Sequence, residues 1–416
     1  MIKWYTKIEK ASSKRGSMKK RLILIIATIL MLPIVVNAQT LTLRDVILRD
    51  NPVRVGADFT TVADSTNTAT QEGLFRATDN HGMSYFFRGT HTGLNNNVIF
   101  AGHQWKIIRI EGNGVIRMIY NGECPDNECT INGNAAGAAA TIGNSIFNPS
   151  PNHNRYVGFM FGSETGTFAQ QHANTNASTI KTFLDNWYDN NITGTYRTWV
   201  NPNTTFCIDR SIANEAGHSV PGWGTGVIGT GLGTTPTSYG TLERMISFTP
   251  TLVCPRAADR ITTPIGLINH DEANKAGGRW GLTNNDYFLR TGQWYWTMSP
   301  ADFHGVNARI FAAHPVGDLG SIGGGGGNAG FNLAVRPVIS LRANVTATGD
   351  GSLENPYIIT GLYEPTPNQN NPSNPNEDRE GNNYNPQTST PSLLVFSGLA
   401  AGSLAALALI NRKKRK

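Results

Sequence analysis

The segment "ADFHGVNARIFAAHPVGDLG", residues 301–320, holds the densest mixture of side chains that could do chemistry. Asp302, His304, His314 and Asp318 are metal-ligand types, and a histidine beside a carboxylate is also the pair that moves protons. The two histidines are ten residues apart, a spacing that neither a helix face nor a hairpin forces to converge, which favours solvated loop histidines over a metal centre. Phe303, Asn307, Arg309 and Phe311 add aromatic faces and polar donors, a mixture that suits contact with a carbohydrate or a protein. The candidate ligand-binding set is therefore Asp302, Phe303, His304, Asn307, Arg309, Phe311, His314 and Asp318. Five glycines at 323–327 follow and read as loop. An ordinary meander with a flexible tip would present the same residues.

Elsewhere the chemistry is thinner. His153, His172 and His218 stand in Asn/Gly-rich stretches and read as solvated too. "GDG" at 349–351 is too short for a calcium loop. No Gly-x-Ser-x-Gly elbow supports a hydrolase triad. No catalytic residue is assigned, and the sequence implies no cofactor and no metal.

Four cysteines suit an oxidising compartment outside the cytoplasm. Cys124 and Cys129 bracket "PDNE", a turn short enough for a local clip, which leaves Cys207 and Cys254 for each other. Spacing does not choose among the three possible connectivities. A zinc site would want a second close pair or histidines in register.

These residues must be positioned by an α+β body rich in turns. "QWKIIRI" and "VIRMIY", within Gln104–Tyr120, are β-branched runs around a Gly-Asn-Gly turn and predict a hairpin. "SYFFRG", 84–89, predicts a strand beside it. "STIKTFLDNWYDNN", 178–191, places Ile180, Phe183, Leu184 and Trp187 at helical spacing behind Ser178 as N-cap. "NHDEANKAGG", 269–278, predicts a short helix stopped by glycines. "GQWYWTMSPADF", 292–303, alternates, so Trp294 and Trp296 are expected on one face and Tyr295 and Thr297 on the other. Arg336 in "FNLAVRPVISL" lies inside an apolar strand. It is expected as a buried guanidinium bonded to carbonyls or a carboxylate.

The ends of the chain carry addresses. An apolar run at 22–36 follows Lys19, Lys20 and Arg21 and precedes Ala38, the layout of a secretory signal peptide over 1–38, with Met18 the expected start. Residues 361–391 are a Pro/Asn-rich stalk, 392–410 a charge-free apolar span, and 411–416 a basic tail expected in the cytoplasm. The net charge of +6 belongs to these segments. Setting aside the eight Lys/Arg and one Glu of 1–38 and the five Lys/Arg of 389–416 leaves 22 basic and 28 acidic side chains, a net −6. The basic charge therefore implies no basic patch for nucleic acid.

Just before the span stands "NPQTS", Asn385, Pro386, Gln387, Thr388 and Ser389. It resembles the motif read by class B sortases, whose cysteine would attack the Thr388–Ser389 carbonyl and pass the chain to a peptidoglycan amine. A plain membrane anchor is the alternative.

From about Ser84 to Ile359 the chain resembles a family of uncharacterised Gram-positive surface proteins, through "YFFRG", "WKIIRI", "IGNSIFN", "FCIDRS", "PIGLINHDEA", "TGQWYWTMSP", "VRPVISL" and "GDGSLENPYII". The resemblance implies a C-type-lectin-like fold shared with formylglycine-generating enzymes. One large domain is then expected over 84–343, with short antiparallel strands, few helices and long Gly/Asn-rich loops. Residues 39–83 would lead into it and 344–360 would close it. Trp294, Trp296, Ser299, Pro300 and Arg336 would be fold signature, in a hairpin-like unit joining 292–299 to 331–341 within one antiparallel system with 104–120. The cysteines of those enzymes and the calcium motifs of sugar-binding lectins are missing, so fold alone carries no activity across. Two classes follow: a wall- or membrane-anchored, adhesin-like binding module for a host or neighbouring-cell glycan or protein, or an extracytoplasmic enzyme acting on wall or host polymers. A shallow aromatic-rimmed surface would mark the first, a deep pocket with a perturbed acid or base the second.

Overall fold

The runs flanking Gly112-Asn113-Gly114 do form a hairpin, His103–Ile110 against Ile116–Glu123, with Gly114 at φ 85° closing the turn. Every residue of His103–Ile110 is buried, because both faces of this strand are covered. Gly82–Arg88 pairs beside it, as the "SYFFRG" stretch predicts. The computed structural model describes residues 41–129, 137–214, 219–220, 224–225, 228–319 and 327–364, which fall in one unit ending at Glu364. The signal peptide, most of the stalk, the motif Asn385–Ser389, the span 392–410 and the basic tail lie outside the described residues, as do His218 and 323–326 of the glycine run. Among the described residues no helix is long and apolar enough to cross a membrane.

The architecture is α+β, built on a ten-stranded and a six-stranded sheet. In the larger sheet Gly73–Asp79, Gly82–Arg88, His103–Ile110, Asn97–Phe100, Tyr357–Leu362 and Val345–Thr348 follow one another. Ile116–Glu123 leads from His103–Ile110 to Val338–Leu341. Residues ahead of Ser84 belong to this body: Gly73–Asp79 pairs along its whole length with Gly82–Arg88, and helix Leu43–Asp50 buries Leu43, Val46 and Ile47 in the main core. The smaller sheet is centred on Tyr295–His304, paired antiparallel with Asn307–Ala313. Ser178 caps helix Thr179–Asn191, and Asn269 with Glu272 forms a capping box on His270–Lys275. Both cysteine pairs are disulfides, Cys124–Cys129 and Cys207–Cys254.

One expectation is corrected. The strand expected at 292–299 is Tyr295–His304, and it shares no sheet with the 103–123 hairpin. The segment 331–341 is divided between the sheets. Asn332–Ala334 lies parallel to Tyr295–His304 at Tyr295↔Ala334, whereas Val338–Leu341 runs antiparallel to Ile116–Glu123. Pro337 has no N–H to give a ladder, and the chain changes sheets there. Arg336 occupies the crossing, fully buried as expected. Its Nη1 donates to Leu289 O at 2.7 Å, and its Nε and Nη2 donate to Tyr120 O at 3.1 and 3.0 Å. Trp294 precedes the strand and is only partly buried, while Tyr295 and Trp296 are both fully buried because each face of the strand is covered. Ser299 Oγ accepts from His270 N at 2.9 Å and so fixes the start of that helix, and a register shift occurs at Pro300.

Candidate functional site

Residues 302–313 belong to a hairpin of the smaller sheet, Tyr295–His304 against Asn307–Ala313, and 314–318 follow it. Phe303 and Phe311 are corrected from ligand contacts to core: they are 1% and 0% exposed, and Phe311 packs on His270 with ring centroids 4.5 Å apart. Asp302 is buried in a forked pair with Arg309, at 2.5 Å for each bond. Burial pushes this carboxyl up against the pull of the guanidinium. Asn307 accepts from Asn328 at 2.6 Å, His314 stacks on Trp294 at 4.2 Å, and Asp318 accepts from Gly281 N at 2.9 Å. His304, beside the Gly305-Val306 turn, is exposed. The two histidines do not meet, and among the described residues no group of three or more His, Cys, Asp or Glu could hold a metal. His153 and His172 are corrected as well: both are buried, with Nε2 on the carbonyls of Glu164 and Gly231 at 2.9 Å.

A second locus is a small polar cleft beside Cys207–Cys254, enclosing about 350 Å³ with open solvent included. Its floor is a buried ion network. Arg109 bonds Asp79 at 2.7 Å and Glu272 at 2.9 Å, and Arg117 bonds Glu111 at 2.8 Å and the same Glu272 oxygen at 2.9 Å. Burial alone would raise the Glu272 pKa, but Arg117 and Arg109 outweigh it and hold the carboxyl below its ordinary range. Next to it Arg244 joins Asp209 at 2.6 Å and Asp271 at 2.8 Å. Each of these carboxylates is paired with a guanidinium, which makes the network a structural brace.

The third locus is a group of rings at the turn between Asn97–Phe100 and His103–Ile110. Phe100 and His103 are cross-strand partners, so their side chains leave the same face. Around His103 stand Trp187 at 5.3 Å and Tyr120 at 5.5 Å between centroids. Around Phe100 stand Tyr196 at 5.5 Å and Trp199 at 6.4 Å. Tyr196 is 45% exposed, and Trp187 and Trp199 are half-buried. Glu123, whose side chain is 56% exposed, accepts from Tyr120 OH at 2.7 Å and pairs with His103 Nδ1 at 3.0 Å. Burial pushes the His103 pKa down against the opposing pull of Glu123, so the imidazole is neutral at pH 7. The Tyr120 hydroxyl is pushed up by burial and by Glu123 and stays a donor. Tilted and edge-on rings near an accessible carboxylate can hold a ligand with an apolar face and hydroxyl or amide donors. The sequence places Trp187 at helical spacing with Ile180, Phe183 and Leu184, and the signal for the rest of the group was "TYRTW", 195–199, two aromatics beside Arg197.

No family model, no curated protein and no solved structure matches this chain.

Proposed function

We propose that the chain is a cell-surface binding module with a C-type-lectin-like fold, displayed on a stalk and anchored to the wall through Asn385–Ser389. The observation that carries the binding role is the partly exposed rings Tyr196 and Trp199 around Phe100, together with Trp187 against His103, the cross-strand partner of Phe100, which Glu123 bonds. A glycan is the ligand class it suits: pyranose C–H faces stack on aromatic rings, and hydroxyls donate to a carboxylate. A glycan and mucin array with the protein should give discrete hits. Trp199→Ala and Glu123→Gln should each weaken the best hit by about tenfold or more, the loss of one buried ring or one charged hydrogen bond. An empty array, or hits indifferent to both substitutions, would remove this reading.

Anchoring has its own test. The order of motif, apolar span and "NRKKRK" supports cleavage between Thr388 and Ser389. Thr388→Ala should then leave the protein in the membrane with its basic tail, while the unaltered protein is released only by wall hydrolase and carries a peptidoglycan fragment on Thr388. If detergent alone extracts the unaltered chain with its tail, 392–410 is a permanent anchor.

A further inference from the structure

Lys106 is one of three lysines in residues 39–388, and its side chain is wholly buried. A buried ammonium needs several acceptors or a carboxylate. Among the described residues the Lys106 Nζ bonds Asn97 Oδ1, at 2.6 Å, and no carboxylate. Burial first, and then the Arg336 charge, lowers the amine to about 7, so a large share of it is neutral near neutral pH. Asn97 is 1% exposed and pinned by its Nδ2, which donates to Gly351 O at 2.8 Å. Asn97 and Lys106 are partners on antiparallel strands, so the amine and the amide are held on one face with water excluded.

We propose that Lys106 and Asn97 join in an intramolecular isopeptide bond. Nζ attacks Cγ of Asn97, the carbonyl pair moves onto Oδ1, and its return expels Nδ2. The proton released from Nζ passes to the departing nitrogen, which leaves as ammonia. One N–C bond forms and one breaks, with no oxidant or co-reactant. The product is a neutral amide, which removes the cost of keeping an amine with one acceptor in the interior. It staples Asn97–Phe100 to His103–Ile110. Tyr357–Leu362, the last strand before 365–416, pairs in parallel with Asn97–Phe100, so the staple lies one strand from the outgoing chain.

Mass spectrometry of the unaltered full-length protein tests the bond whether or not any variant folds. After denaturation, trypsin should fail to cut at Lys106 and leave a single peptide of residues 89–109, lighter than its sequence by about 17 Da, the mass of ammonia. Reading the peptide rather than the whole chain excludes ammonia lost at a terminal glutamine. Lys106→Met or Asn97→Ala should restore the sequence mass of that region. Ordinary cleavage after Lys106 in the unaltered protein, with both peptides at sequence mass, overturns the proposal.

Discussion

Arg336→Lys lowers the stability of the protein by about 3 kcal/mol, read as a fall in the urea midpoint at an unchanged slope. The guanidinium lies at the point where the chain crosses between sheets, and four hydrogen bonds spread over Tyr120 O, Leu289 O and Asn121 Oδ1 hold it there. Its carbon centre also lies 5.0 Å from the Tyr295 ring. An ammonium keeps the buried charge but reaches fewer of these acceptors, and it cannot present the planar fork. Losing two charge-assisted bonds at about 1.5 kcal/mol each gives the expected size. A change under about 0.5 kcal/mol, the scale of an ordinary surface substitution, would show that the crossing does not depend on the fork.

Arg117→Met should cost more, about 3–5 kcal/mol at pH 7, because it leaves Asp79, Glu111 and Glu272 facing Arg109 alone. Met replaces the aliphatic stem but loses the contact of the guanidinium with the Phe206 ring at 4.6 Å. The cost should depend on pH. In the intact network the Glu272 pKa is depressed in the folded state. Its contribution is therefore present above the unfolded value of about 4.3 and is lost as pH falls through the folded value. Without Arg117 the burial of Glu272 prevails and its folded pKa rises. The gap between the two proteins should then be widest at neutral pH, narrow as pH falls through the raised folded value of the variant, and close only below the depressed folded value of the intact protein. Urea titrations at pH 7 and pH 4 decide it: equal gaps would mean that packing, not charge, is what Arg117 supplies.

The hairpin around Gly112-Asn113-Gly114 and the helix behind Ser178 were legible because their signals are local: a turn that needs glycine, a cap, a period of 3.6. Arg336 was legible because a lone guanidinium in an apolar strand has to find acceptors inside. The disulfides followed from a pair five residues apart that leaves only one other pairing. The candidate ligand set was the weak point. Polar and aromatic side chains alternate through 302–311, and alternation is silent about whether both faces of the strand will be covered. Here they are, and Phe303 and Phe311 went to the core.

The sequence by itself determined local elements such as the hairpin around Gly112-Asn113-Gly114 and the two capped helices, since each rests on neighbours along the chain. Tertiary structure decided which strands share a sheet, where 331–341 divides, and what the surface presents. The ion network joins Arg109 to Glu272 across 163 residues, and the ring group draws Phe100, Tyr120 and Trp199 from three separate elements. Such contacts are fixed by what covers each face of a strand. That is a property of the whole packed body, and no window of sequence contains it.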